Sequence, residues 1–141
     1  MNRLEGSCFC GKLRIEVELT EPPGAYAPRA CDCAFCRKHG AAYVSDAAGA
    51  LRIRYADPQA LIRYRQGSGQ AEFLMCRECG VLVAVCLEDS GQRFGAVNAQ
   101  ALADAASFAP ALSVSPRELD PDAKRARWKN LWFPGVSLEK A

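Results

Sequence analysis

Apolar and charged residues alternate strictly from Leu13 to Leu19, with Leu13, Ile15, Val17 and Leu19 on one side and Arg14, Glu16 and Glu18 on the other. A period of two is the mark of a strand with one buried face. Glu21-Pro22-Pro23-Gly24 ends it, since proline lacks a backbone donor and glycine favours a turn. Shorter strands are predicted over residues 41–45, 51–55, 61–65 and 93–97. Gly67-Ser68-Gly69 reads as a hairpin turn feeding a strand at 72–75. Residues 81–87 are apolar on both faces, which predicts a central, fully buried strand. One helix start is legible: Asp120 as cap and Pro121 at the first position, where no donor is needed, with the helix running to about Lys129. Trp132, Phe133 and Pro134 then form an apolar close.

No repeat or linker divides the 141 residues. They are expected to form a single zinc domain over 1–141, mostly β. A chain of this length buries roughly two thirds of its unfolded surface, enough for a core without disulfides. The formal net charge is +2, and seven zinc-bound thiolates on two ions would take it to about −1. That balance gives no electrostatic case for nucleic acid or an anionic membrane. The N-terminal residues hold no apolar stretch of signal-peptide length, and the longest apolar run, 81–87, is far short of the roughly 20 residues of a membrane span. A cytoplasmic protein is expected. Eight cysteines in a reducing compartment then point to metal ligation or redox chemistry rather than a disulfide framework.

The cysteines are clustered: Cys8 and Cys10; Cys31, Cys33 and Cys36; Cys76 and Cys79; and Cys86 alone. Zinc holds thiolates at about 2.3 Å in a tetrahedron, so neighbouring sulfurs lie a little under 4 Å apart. Cys76-Arg77-Glu78-Cys79-Gly80 suits a tight turn offering two ligands, with Gly80 free to take the positive φ after the second. Cys8-Phe9-Cys10-Gly11 is a second half-site if its cysteines lie on an extended segment, where i and i+2 share a side. Two half-sites make a closed site. The middle cluster supplies three thiols, and three ligands plus an open position is the layout of catalytic zinc. Counting does not fix the pairing: Cys76 and Cys79 could join the middle cluster, and all seven could merely hold the fold.

Gly6-Ser7-Cys8-Phe9-Cys10-Gly11, Cys31-Asp32-Cys33-Ala34-Phe35-Cys36-Arg37-Lys38 and Met75-Cys76-Arg77-Glu78-Cys79-Gly80 together resemble the glutathione-dependent formaldehyde-activating enzyme family, which also includes centromere protein V. The motifs stand in the family's order and span residues 6 to 80. Met75 departs from the phenylalanine often found there. The resemblance implies coiled, mostly antiparallel β-sheets organised around zinc, here with a short C-terminal helix. It implies two zinc ions per chain: a structural one on Cys8, Cys10, Cys76 and Cys79, and a catalytic one on Cys31, Cys33 and Cys36. It further implies a carbon–sulfur lyase that joins a small-molecule thiol, glutathione, to an aldehyde, formaldehyde.

Three thiolates leave zinc a net −1, which favours activating the incoming thiol over polarising the aldehyde. Arg37 and Lys38 are the candidates to offset that charge or to pair with substrate carboxylates. His39, the sole histidine, is a candidate fourth ligand or proton shuttle, although a surface role is the commoner one. Cys86 is expected to pack as a small hydrophobe. Trp128, Trp132 and Phe133 are expected to pack the terminal helix rather than line a pocket. The competing functions are a non-catalytic zinc-stabilised binding module and a redox role for the middle cysteines.

Overall fold

The computed structural model describes residues 1–141, and the alternating segment behaves as its pattern requires. Strand β2 (Leu13–Leu19) buries Leu13, Ile15, Val17 and Leu19 almost completely. It pairs antiparallel with β1 (Asn2–Ser7) on one side and, on the other, with β5 (Ala50–Tyr55), which sets Ile15 against Ile53 and Val17 against Leu51. The last strand, β11 (Ser137–Lys140), adds to β5 in parallel and completes a four-stranded sheet, β1-β2-β5-β11.

Seven further strands form the second sheet: β3 (Arg29–Cys31), β4 (Tyr43–Val44), β6 (Leu61–Tyr64), β7 (Glu72–Cys76), β8 (Leu82–Asp89), β9 (Gln92–Asn98) and β10 (Leu112–Val114). Their order is β10-β3-β4-β9-β8-β7-β6, antiparallel except for β10 on β3. The architecture is mostly β with antiparallel-rich sheets, as expected. The doubly apolar segment is indeed interior. From β8, Val83, Ala84 and Cys86 enter the larger core with the first sheet, while Leu82, Val85 and Leu87 enter a second core beneath the C-terminal helix. Cys86 packs as a small hydrophobe opposite Gly95, where an added Cβ would sit 3.1 Å from its sulfur. Ser90 and Gly91 both take positive φ, 53° and 78°, and close the two-residue turn between β8 and β9.

Helix α1 (Ala34–His39) follows β3, and helix α2 (Pro121–Leu131) follows a loop after β10. The Asp120 side chain caps α2 through the Ala123 N–H, as expected, and the helix runs two residues beyond Lys129. No helix is long and apolar enough to cross a membrane.

Two local ties hold the sheets in place. Gly6 bridges Leu102 so closely that a Cβ there would lie 2.1 Å from the Ala101 carbonyl oxygen, so only glycine fits. Asp46, after β4, accepts from the Thr20 N–H and hydroxyl, the Tyr26 hydroxyl and the Ala48 N–H, at 2.6–2.9 Å. Burial alone would raise its pKa, but these donors outweigh it and hold the carboxyl at about 2, below the ordinary 3.8. A depressed folded-state pKa gives stability that is present above pH 4 and lost as pH falls towards 2. Asp46→Asn is therefore expected to be less stable by about 1–2 kcal/mol at pH 7. The gap between variant and wild type in urea unfolding should close near pH 2. A gap that persists unchanged into acid would contradict this account.

Candidate metal centres

Cys8 and Cys10 lie in the turn between β1 and β2, not on an extended segment as the i, i+2 spacing had suggested. The turn achieves the same convergence: Gly11 at φ 86° folds the chain so that its N–H reaches the Cys8 carbonyl. Cys76 ends β7, and Cys79 sits in the turn before β8. Gly80 takes φ 78°, and its N–H bonds to the Cys76 carbonyl at 2.8 Å. The two turns meet. The sulfurs of Cys8 and Cys10 are 3.7 Å apart, those of Cys10 and Cys76 are 3.6 Å apart, and all four lie within 4.8 Å of one another. The edge of a zinc–thiolate tetrahedron is about 3.8 Å, so the donor set fits the ion.

Backbone N–H groups point at sulfurs of this group. The Leu13 N–H points at the Cys8 sulfur at 3.3 Å. Burial opposes ionisation of Cys79, but the Cys10 and Val81 N–H groups, aided by the thiols of Cys76 and Cys8, outweigh it and bring its pKa down to about 6. Cys76, fully buried, is pushed up to about 12, chiefly by desolvation. The pairing that residue counting left open is settled spatially: Cys76 and Cys79 join Cys8 and Cys10, not the middle cluster.

The middle cluster forms a second group in which Cys31, Cys33 and Cys36 converge. Cys31 ends β3. Cys33 caps α1, its sulfur accepting from the Cys36 N–H at 3.4 Å. Cys36 is buried in the first turn of α1, 3.2 Å from the Tyr43 hydroxyl. The intervening Asp32 turns away and accepts from Ser115 and Arg117. The hydrogen bond with Cys36 is the main reason the Cys31 thiol falls to about 6, against the effect of burial. That same bond, with burial, raises Cys36. Burial, and then the neighbouring cysteines, keep the Tyr43 phenol protonated and able to donate to Cys36.

No fourth histidine, cysteine or carboxylate joins this trio. Instead the three sulfurs form part of the wall of a cavity of about 120 Å³. Phe73 and Val85 of the second core line it, and α2 contributes Trp128 and Leu131, with Trp132 just after the helix. The indoles of Trp128 and Trp132 stack at 4.8 Å. The cavity also carries Arg29, Arg117, Lys124 and Arg127, with no acidic side chain among its walls. Burial, and then the positive charge of Arg127, lower the Arg29 pKa from its ordinary value.

The structure decides several residue roles that the sequence had weighed, and puts His39 in the commoner, surface one. Arg37 and Lys38 are exposed and do not line the cavity, because on a helix their side chains turn away from the face that carries Cys36. His39, exposed at the end of α1, packs its ring against Phe35 at 4.7 Å and stands outside the cluster. Trp128 and Trp132 do line the pocket, whereas Phe133 goes to the main core. The missed cations of α2 had one available signal: Lys124, Arg127, Trp128 and Leu131 follow the i, i+3, i+4, i+7 spacing of a single helix face.

A family model described as glutathione-dependent formaldehyde-activating enzyme matches residues 3–116, which include both cysteine groups and end before α2. A crystal structure of a Rhodobacter sphaeroides protein, a structural genomics target, superposes with a TM-score of 0.58 at 29% identity. The likeness covers 77% of this chain and 100% of that one. No curated protein matches the chain.

Proposed function

The chain belongs to the glutathione-dependent formaldehyde-activating enzyme family, and on that footing we propose that it is a zinc-dependent carbon–sulfur lyase working in the cytoplasm. Residues 1–141 act as one domain. Cys8, Cys10, Cys76 and Cys79 hold a structural zinc ion; Cys31, Cys33 and Cys36 hold a catalytic one with a position open to substrate. A thiol such as glutathione adds there to formaldehyde or another small aldehyde. The eight thiols suit a reducing compartment.

The observation that supports this reading best is the three-sulfur group facing a cavity rather than a fourth protein ligand. A bound zinc ion supplies one thing there: it lowers the pKa of a thiol so that the thiolate is present at neutral pH. The protein's own groups do the rest. Tyr43 and the Cys36 N–H donate to the cysteine sulfurs and hold them in place. The aromatic walls limit water around the reacting carbon. Sulfur bonds to the aldehyde carbon, the carbonyl π pair moves to oxygen, and the thiol's proton ends on that oxygen. No oxidant or reductant is needed. A binding module stapled by zinc would have no use for such a cavity.

Exchange NMR on glutathione and formaldehyde, with and without the zinc-loaded protein, tests the proposal. Formation of S-hydroxymethylglutathione should run at least about tenfold above the spontaneous rate, a modest demand for an enzyme. Equal rates at full metal occupancy would contradict it.

A further inference from the structure

We propose that the aldehyde taken by this site carries a flat apolar substituent the size of a benzene ring, held against Phe73, Val85, Trp128, Leu131 and Trp132. This inference rests on the lyase reading above and names the class of its second substrate.

Formaldehyde has two heavy atoms and no apolar surface, and glutathione is polar along its length. Neither accounts for the wall that stands beside the trio. Phe73 comes from β7 and Val85 from β8, Trp128 and Leu131 come from α2, and Trp132 follows it. The two indoles stack with only 13° between their planes, so they offer flat aromatic surface. The cavity of about 120 Å³ approaches the roughly 150 Å³ of an apolar cavity that takes up benzene. Apolar wall left against water is unfavourable, and a ligand that covers it gains affinity in proportion to the area removed from water. The cations of the cavity suit a polar thiol, which leaves the aromatic wall to the aldehyde. Trp128 and Trp132 lie beyond residue 116, where the family match ends, so the indole part of the wall is not something that match describes. The chemistry is unchanged by the substituent. Sulfur bonds to the carbonyl carbon, the π pair moves to oxygen and takes the thiol's proton, and the substituent stays on carbon.

Acetaldehyde and phenylacetaldehyde differ by one ring, set beyond a carbon atom from the carbonyl. Zinc-loaded protein is given glutathione with each, and exchange NMR reads hemithioacetal formation above the spontaneous rate. Phenylacetaldehyde should half-saturate the protein at a concentration at least about tenfold lower, since a single methylene in an apolar pocket is already worth roughly 10–200-fold. Equal half-saturation, or acceleration of formaldehyde and acetaldehyde alone, would overturn the proposal and leave the lyase reading standing. Trp128→Ala should shrink the difference between the two aldehydes, a ratio taken within one protein and so insensitive to its metal content. A variant that keeps the difference in full would also overturn the proposal. The wild-type comparison needs no substitution and decides the matter even if the variant fails to fold. A second readout needs no reaction. The chain's only two tryptophans both line the cavity, so their fluorescence should respond saturably to 2-phenylethanol and not, over the same range, to ethanol. Identical responses to the two alcohols would remove the apolar subsite. Failure of the lyase reading looks different: 2-phenylethanol still binds, while no aldehyde, formaldehyde included, reacts faster than it does alone, and the aldehyde assignment falls with it.

Discussion

Cys76→Ala is expected to lose its structural zinc and more than about 4 kcal/mol of stability, a large share of the roughly 5–15 kcal/mol that an ordinary domain possesses. The four-cysteine group joins turns that belong to two different sheets. Two ligands come from the β1–β2 turn of the first sheet, and two from the β7–β8 turn of the second. Metal binding to such a site contributes directly to folding, because the unfolded chain holds no preformed site. Removal of Cys76 leaves three thiolates around a poorly held ion, and it removes a fully buried side chain of the main core. Alanine also opens a void where the sulfur packed. Metal analysis should show one ion fewer per chain, and urea unfolding should show a much lower midpoint. A variant that keeps both ions and melts within a few degrees of the wild type would contradict the structural assignment.

Cys33→Ser should behave in the opposite way: an intact fold, one ion fewer, and a lyase rate lower by at least about a hundredfold. Changes merely behind a metal ligand already cost roughly 10–100-fold, so loss of a ligand sets a floor at the upper end of that range. The fold should survive because Cys33 is the cap of α1, and serine is among the best capping residues. Its hydroxyl can accept from the Cys36 N–H where the sulfur did, while it ligates zinc poorly beside two thiolates. The pair of variants therefore separates the two groups: one substitution attacks the fold, the other the chemistry. An unchanged rate with both ions bound to Cys33→Ser would remove the middle cluster from the mechanism.

The strands that build the cores were legible because their patterns are strong. Leu13 to Leu19 alternates cleanly, and Leu82 to Leu87 is apolar throughout, so period and burial agree with the folded chain. The helix at Pro121 announced itself by its cap. The missed elements carry weak signals for physical reasons. In β1 only Leu4 is buried, and β3 and β10 have three residues each, too few to show a period. In α1 the cap is a cysteine, which does not read as a capping residue, and the helix is six residues long. β11 pairs in parallel with β5, a partner more than eighty residues away that no local pattern reveals. Cysteine spacing gave the clusters, and the family resemblance how they group, but neither gave their surroundings. Arg37 and Lys38 lie near Cys36 in sequence, yet the cations that face the trio come from Arg29 and from α2, nearly a hundred residues on.

Helix α2 is fastened at both ends. At its start the Gln70 amide donates to the Pro121 carbonyl and accepts from Arg125. At its close Phe133 and Gly95 exchange backbone hydrogen bonds, the Val136 N–H bonds to the Arg93 carbonyl, and β11 is stitched to β5. The roof above the trio is consequently a fixed beam and not a hinged flap. Raising it would break the Gln70 bonds at one end and the Phe133–Gly95 pair at the other.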